Sequence, residues 1–382
     1  PEQFSATTEL VRITFPYLGF ISLTAFAGSL LNAHNQFALP AFTPVMLNLC
    51  LMIAAMLALT GWFNVQPVVM VAWGVMAAGI VQLIIQLPTL SRMGLLVRPQ
   101  ISAKHPGVRR VGVLLIPAVL AASVGQINAL VNTVLASTLT SGSIAWLYYA
   151  DRLLELPIGL VAVALGTVML PHLSAMVARG DAESFKATLS WGLSLGLMLA
   201  LPAAVALYFF AQPLLAVLFM SFSGGAMTVL DIRMSSYALE MFAIALPGFV
   251  VVKVLSPAFF AHQDTRTPFH YAIVAVAVNL VASLATFQTM GHTGLAMATA
   301  LSAWTHASLL YIGLQQKGFY RLDKKMALTA AKTILASAML GVGLFFLLPD
   351  AQLWLDMQSL PRIGWTGVVM LLGVGGYALV LL

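Results

Sequence analysis

Apolar stretches that run unbroken for about twenty residues recur along this 382-residue chain. At 1.5 Å rise per residue, such a stretch spans the ~30 Å hydrocarbon core of a bilayer as a helix. Inside lipid a backbone must satisfy its own hydrogen bonds, so only helices and closed barrels can cross. Barrel strands would show short segments of alternating polarity, and the apolar stretches here do not alternate. The composition points the same way: 60% of residues are hydrophobic and 8% charged, against about 45–50% and 25% in soluble domains. A soluble enzyme, a disordered tail and a secreted disulfide scaffold are excluded, and the expected fold class is all-α, a polytopic membrane helix bundle.

Several chemistries drop out with them. The net charge of +6 comes from Lys and Arg placed mostly in loops, so it is no nucleic-acid footprint. Cys50 stands alone, which removes a disulfide framework and a CxxC site. The seven histidines show no metal-ligand spacing, and no nucleotide-binding fingerprint occurs, so no cofactor or metal is expected. The cluster Gly373-Val374-Gly375-Gly376 lies inside an apolar span, where it reads as close helix packing.

Spans are expected at roughly 4–33, 40–61, 67–91, 109–138, 143–175, 185–220, 232–261, 268–289, 293–316, 326–348 and 361–382, eleven in all. Trp62, Trp146, Tyr148 and Tyr149 fall near span ends, as interfacial aromatics do. The ends and loops after the third, fifth, seventh and ninth spans carry Arg92, Arg98, Lys104, Arg109, Arg110, Arg179, Lys186, Arg266, Lys317, Arg321, Lys324 and Lys325, whereas the intervening loops carry Arg233 and Arg362. Basic residues collect in cytoplasmic loops, so the chain is expected to start on the far side, with an odd number of helices upstream of Pro1.

An internal repeat supplies that number. Ala33-His34-Asn35-Gln36 followed by Pro40 recurs as Ala261-His262-Gln263-Asp264 followed by Pro268, an offset of 228 residues for both the histidines (262 − 34) and the prolines (268 − 40). In each copy a long helix with internal proline, Pro16 in one and Pro247 and Pro257 in the other, enters the turn and two helices follow. The period is six helices, so the copies share one orientation about an axis along the membrane normal. The expected domains are residues 1–108, the three-helix back half of an N-terminal lobe; 109–325, a six-helix lobe; and 326–382, two extra helices.

Ionisable residues inside spans are the functional candidates. They are Glu9 and Arg12; Asp151, Arg152 and Glu155; Glu240; Lys253; and Lys332. Arg152 and Glu155 share a helix face at i, i+3, and counting from Ser143 places Arg152 about nine residues, ~14 Å, into its helix. Two readings stand open: Arg152 snorkels outward with Glu155 neutralising it, or it faces water and offers its fork to a phosphate or pyrophosphate with Glu155 orienting it. Lys253 and Arg12 each precede a helical proline by four residues, beside a carbonyl the proline leaves without its usual donor; packing explains either pair equally well.

Three stretches carry a resemblance: Ile13-Thr14-Phe15-Pro16-Tyr17; Leu31-Asn32 with Pro40-Ala41-Phe42-Thr43-Pro44; and Trp146-Leu147-Tyr148-Tyr149-Ala150-Asp151-Arg152-Leu153-Leu154-Glu155-Leu156-Pro157. They resemble the MurJ (MviN-like) lipid II flippases of the MOP exporter superfamily. The resemblance extends through Val163-Ala164-Leu165-Gly166-Thr167, Val251-Val252-Lys253-Val254-Leu255 and the turn from Gln263-Asp264 to Thr267-Pro268. It implies a fourteen-helix exporter of the bacterial inner membrane, of which these eleven helices are the fourth to fourteenth, in two pseudo-repeated lobes around a cavity. The implied activity is movement of a lipid-linked peptidoglycan precursor from the inner to the outer leaflet by alternating access, with no covalent step. Arg152 is the implied pyrophosphate ligand, with Glu155, Asp151 and Lys253 beside it in the candidate substrate site. The two final helices would offer a groove to the isoprenoid tail. A monomer is expected, in contact with membrane lipids, and a coupling ion or the membrane potential is left open as the energy source. The alternatives are a drug or polysaccharide exporter of the same superfamily and a membrane enzyme acting on a lipid-linked sugar.

Overall fold

The computed structural model describes residues 2–34, 36–61, 65–96, 126, 128–221, 227–348, 354–355 and 357–381. They contain no strand. The helices are α1 (Glu2–Thr14), α2 (Tyr17–Ala33), α3 (Ala38–Thr60), α4 (Pro67–Arg92), α5 (128–137), α6 (Ser143–Pro157), α7 (Ala164–Arg179), α8 (Ala182–Leu215), α9 (Val229–Ala261), α10 (Arg266–Met290), α11 (His292–Gln316), α12 (Lys324–Leu347) and α13 (Ser359–Leu381). A π-helical turn at Ile158–Val163 joins α6 to α7, and another at Ala216–Ser221 extends α8. Ten segments among the described residues are long and apolar enough to cross a membrane. Most of the expected span 109–138 lies outside the described residues, as does Trp62.

The chain divides into two compact units, residues 1–109 and 110–382. In the first, α2 and α3 both pack on α4 and barely touch each other. The sequence led us to expect one long helix over 4–33, but helix hydrogen bonding lapses at Phe15 and Pro16, which separate α1 from α2. Both residues are exposed, so no packed neighbour holds the chain straight where the proline lacks its N–H. Pro247 and Pro257 behave differently: both are buried inside a continuous α9, where packing on every side keeps the helix running through them.

In the second unit α9 is the central post, packed by α6, α7, α8 and α11. Its buried residues run its whole length, from Ile232 through Leu246 and Val254 to Phe259. Lipid tails are as apolar as leucine, so close approach rather than hydrophobicity holds such helices together. Gly192 and Gly196 on α8 provide it: an ideal Cβ on Gly196 would stand 2.9 Å from Val250 Cγ1 of α9, and one on Gly192 would stand 2.8 Å from Met169 Sδ of α7. Gly373 does the same for α13 on α12, with a Cβ position 3.3 Å from Leu340 Cδ1, but Gly375 and Gly376 have nothing within 4 Å of theirs, so close packing holds for one glycine of the cluster and not for all three.

Three helix starts carry side-chain caps. Asp181 accepts from Ser184 N–H at α8, and Asp323 accepts from Met326 N–H at α12. At α9, Thr228 and Asp231 cap each other's backbone N–H reciprocally. Arg362, expected in a loop, instead lies in the first turn of α13 and is buried. Its guanidinium donates to the carbonyls of Trp354 (3.0 Å), Leu355 (2.7 Å) and Met357 (2.7 Å), tying the segment before α13 to that helix.

Candidate functional site

The run from Trp146 to Pro157 forms α6, whose Ala150, Leu153 and Leu154 are buried. That stripe anchors the helix and leaves the intervening charged positions on other faces. Arg152 Nη1 donates to Glu155 Oε2 at 2.6 Å, and the guanidinium carbon lies 4.8 Å from the centre of the Tyr148 ring. Residues 148, 152 and 155 are one turn apart, so tyrosine, arginine and glutamate form a ladder on one face. The Arg152 and Glu155 side chains remain 52% and 53% exposed. One guanidinium N–H is engaged, and the rest have no protein acceptor among the described residues. The site is therefore an oriented cationic fork with donors to spare.

Asp151 points elsewhere, because neighbours at i, i+1 do not face each other. It lines a cavity of about 390 Å³ together with Asn128, Asn132, Tyr148, Phe242 and Thr299. Along this cavity Ser283 Oγ donates to Asn132 Oδ1 (3.3 Å) and Asn279 Nδ2 donates to Thr299 Oγ1 (3.3 Å). A search for charges passes over this neutral network; its visible signal is Asn279 and Ser283 at i, i+4 inside an apolar span.

Lys253 is exposed on α9, and Glu9 and Arg12 are exposed on α1. None of the three enters an ion pair among the described residues, where the pairs are Arg152–Glu155, Lys186–Glu183 and Lys317–Asp264. The structure thus brings Arg152 and Glu155 together, sends Asp151 into the adjoining cavity that Tyr148 also lines, and leaves Lys253 outside the pair.

Trp146 departs from the interfacial role expected of it. It is buried, with Nε1 donating to Asp231 Oδ1 at 2.8 Å and its ring 5.0 Å from that of His292, whose Nε2 in turn meets Met234 O at 2.8 Å. Gly142, with φ +102°, makes room: a Cβ there would stand 2.7 Å from the Trp146 ring. Trp146 therefore joins the starts of α6, α9 and α11.

Ten membrane-length segments among the described residues, one of them carrying the half-exposed Arg152–Glu155 pair, define a polytopic helical membrane protein. Comparison with known proteins narrows the class. A family profile described as lipid II flippase MurJ matches residues 1–363. The probable lipid II flippase MurJ of Vibrio cholerae is 40% identical over 385 residues, covering 100% of this chain and 71% of its own length. That of Haemophilus influenzae is 37% identical over 388 residues, covering 100% and 75%. Among solved structures, a lipid II flippase MurJ in an inward closed conformation superposes with a TM-score of 0.78 at 25% identity, over 97% of this chain and 72% of the other. This chain belongs to the MurJ family of lipid II flippases. That membership makes it a transporter and leaves a drug or polysaccharide exporter, or a membrane enzyme, without support.

Proposed function

We propose that this protein carries lipid II, the lipid-linked peptidoglycan precursor, from the inner to the outer leaflet of the bacterial cytoplasmic membrane by alternating access, and that Arg152 grips the pyrophosphate. The observation that carries the role of Arg152 is its geometry: Glu155 and Tyr148 hold the guanidinium from two sides while its other donors stay open. A fork held this way loses little freedom on taking a phosphate oxygen pair. Asp151, in the adjoining cavity, and Lys253, on the central helix, complete the substrate site in this reading. The apolar groove between α12 and α13, about 200 Å³ and lined by Leu340, Leu344, Gly373 and Tyr377 among others, suits the isoprenoid tail.

In the same reading residues 1–108 serve as the three-helix back half of one lobe, 109–325 as the six-helix second lobe and 326–382 as the tail-binding pair, and the basic loops after α4 and α11 face the cytoplasm. The working unit is a monomer, driven by a coupling ion or the membrane potential.

The test is substitution in the protein as the cell makes it, read as rescue of cells depleted of their own flippase with membrane abundance followed in parallel. Arg152→Ala should abolish rescue. Arg152→Lys, which keeps the charge but loses the bidentate fork, should lower export roughly tenfold or more, the scale of one charge-assisted hydrogen bond. Glu155→Gln should be milder, because it keeps the shape that positions the arginine. Full rescue by a well-expressed Arg152→Ala protein would exclude the pyrophosphate role.

A further inference from the structure

In the first unit a cluster of neutral polar side chains is buried where α2, α3 and α4 meet. Gln82 and Gln86, one turn apart on α4, are 2% and 1% exposed, and Thr43 on α3 and Thr24 on α2 are each 4% exposed. Both glutamine amides donate to α3: Gln82 Nε2 to Thr43 O at 3.2 Å, Gln86 Nε2 to Thr43 Oγ1 at 3.1 Å. Their oxygens are unmatched. Gln82 Oε1, Gln86 Oε1 and Thr24 Oγ1 are fully buried and have no hydrogen-bond partner among the described residues. Thr14 and Thr43 turn their hydroxyls onto the carbonyl four residues back, but Thr24 does not.

These three atoms come from helices packed in register. An ideal Cβ on Gly79 would touch Tyr17 and Phe20, and one on Gly28 would stand 3.8 Å from Gln86 Oε1, so α2 and α4 run in the same direction side by side. Gln86 therefore turns its oxygen toward α2 at Gly28. One turn earlier on both helices, Thr24 is level with Gln82.

A buried amide oxygen without a partner costs about 1–3 kcal/mol, and natural interiors rarely leave three in one place. A single partner for all three has to donate to the two amide oxygens and accept from the Thr24 hydroxyl. One water does this, since buried waters make about three hydrogen bonds to such groups. Oxygen-liganded divalent cations take six or more ligands, and three neutral oxygens fall short. We propose that Thr24, Gln82 and Gln86 form a binding site for one ordered water that bridges α2 to α4.

Gly28 offers a test in which the two possibilities give opposite signs. The nearest atoms to a Cβ there are Pro40 Cβ at 3.5 Å, Gln86 Oε1 at 3.8 Å and Pro40 Cγ at 3.8 Å, ordinary contacts that force nothing to move. If the seam is dry, Gly28→Ala fills space and favours the helix, so the melting temperature rises. If water sits there, the methyl displaces it and strands the Gln86 oxygen, so the melting temperature of the full chain falls, by roughly 2–4 °C. Gly28→Ser carries a hydroxyl that replaces the lost donor and should recover most of the fall. Gly19→Ala, on the same helix with nothing within 4 Å of its Cβ, serves as the control that moves little. A rise with Gly28→Ala, or an equal fall with Gly28→Ser, overturns the proposal. So does a map of the full chain grown in thallium salt that shows an anomalous peak at these oxygens; a light peak within hydrogen-bonding distance of all three supports it.

Discussion

Helices α2 to α4 and α9 to α11 are the same three-helix device at an offset of 228 residues, and they differ inside. In both, the third helix packs on the other two while the first and second scarcely meet. In both, the turn after the first helix is built alike. His34 Nδ1 meets Leu30 O at 2.9 Å and His262 Nδ1 meets Ala258 O at 3.0 Å; Gln36 N–H donates to Leu31 O at 2.9 Å and Asp264 N–H to Phe259 O at 3.0 Å. Each of these pairs is separated by 228. The interiors diverge: Thr43, Gln82 and Gln86 of the first copy stand where the second has Tyr271, Leu310 and Leu314. The second copy also adds a clasp, Lys317 on Asp264 with Thr267 alongside, where the first has Gln36 and Thr89. What has been kept is the backbone geometry that sets the helix exit; the seam chemistry was free to change because either a hydrogen-bonded or a leucine-filled seam closes the gap.

The largest expected contrast is at the matched buried positions Leu31 and Phe259, both 0% exposed. Phe259 belongs to the extended core around α9 and Leu31 to a small cluster with Ala27 and Leu90. Phe259→Ala should cost about 3–5 kcal/mol and Leu31→Ala nearer 2, the low end for a buried leucine, because a small cluster relaxes into the space. Thermal unfolding of the two variants decides it; equal losses would remove the distinction between the interiors. Leu310→Gln, which puts the first copy's amide into the second copy's dry seam, should cost about 2–3 kcal/mol by burying an amide without partners. A neutral result would mean that the second seam accepts water as well.

The clasp comes next. Burial by itself would raise the Asp264 carboxyl, but the Lys317 ammonium and the Thr267 N–H and hydroxyl outweigh it and hold it well below the usual carboxylate range. A depressed folded pKa stabilises above the unfolded value, about 4 for a carboxylate, and that stability disappears as pH falls through the folded value. Lys317→Met should cost about 1 kcal/mol at pH 7, a modest figure because Lys317 is 39% exposed and its charge is screened. The gap between Lys317→Met and the parent should close as pH drops below about 4; a gap independent of pH would assign the loss to packing. The smallest contrast is at the paired histidines. His262 stacks on Phe319 at 3.8 Å and meets Phe185 edge-on, whereas His34 is exposed. His262→Ala should therefore cost about 1 kcal/mol and His34→Ala less than about 0.5.

Apolar length and the Ala-His turn were enough to read the helical class, ten of the eleven spans and the repeat, because the bilayer and the backbone impose requirements that each segment must meet by itself. The spacing of Arg152 and Glu155 was legible for the same reason: an i, i+3 pair depends on one helix alone. What depended on a second helix was not. Trp146 could not be assigned to Asp231, 85 residues away, nor Asp151 separated from its neighbour Arg152, until α5, α9 and α11 were in place around α6. Pro16 and Pro257 have the same local chemistry, and one interrupts its helix while the other is carried through, since neighbours decide whether the missing hydrogen bond bends the chain. Sequence by itself determined what is set within one helix by periodicity and solvent; tertiary structure alone decided which faces meet, because partners far apart along the chain become neighbours only once the helices have packed.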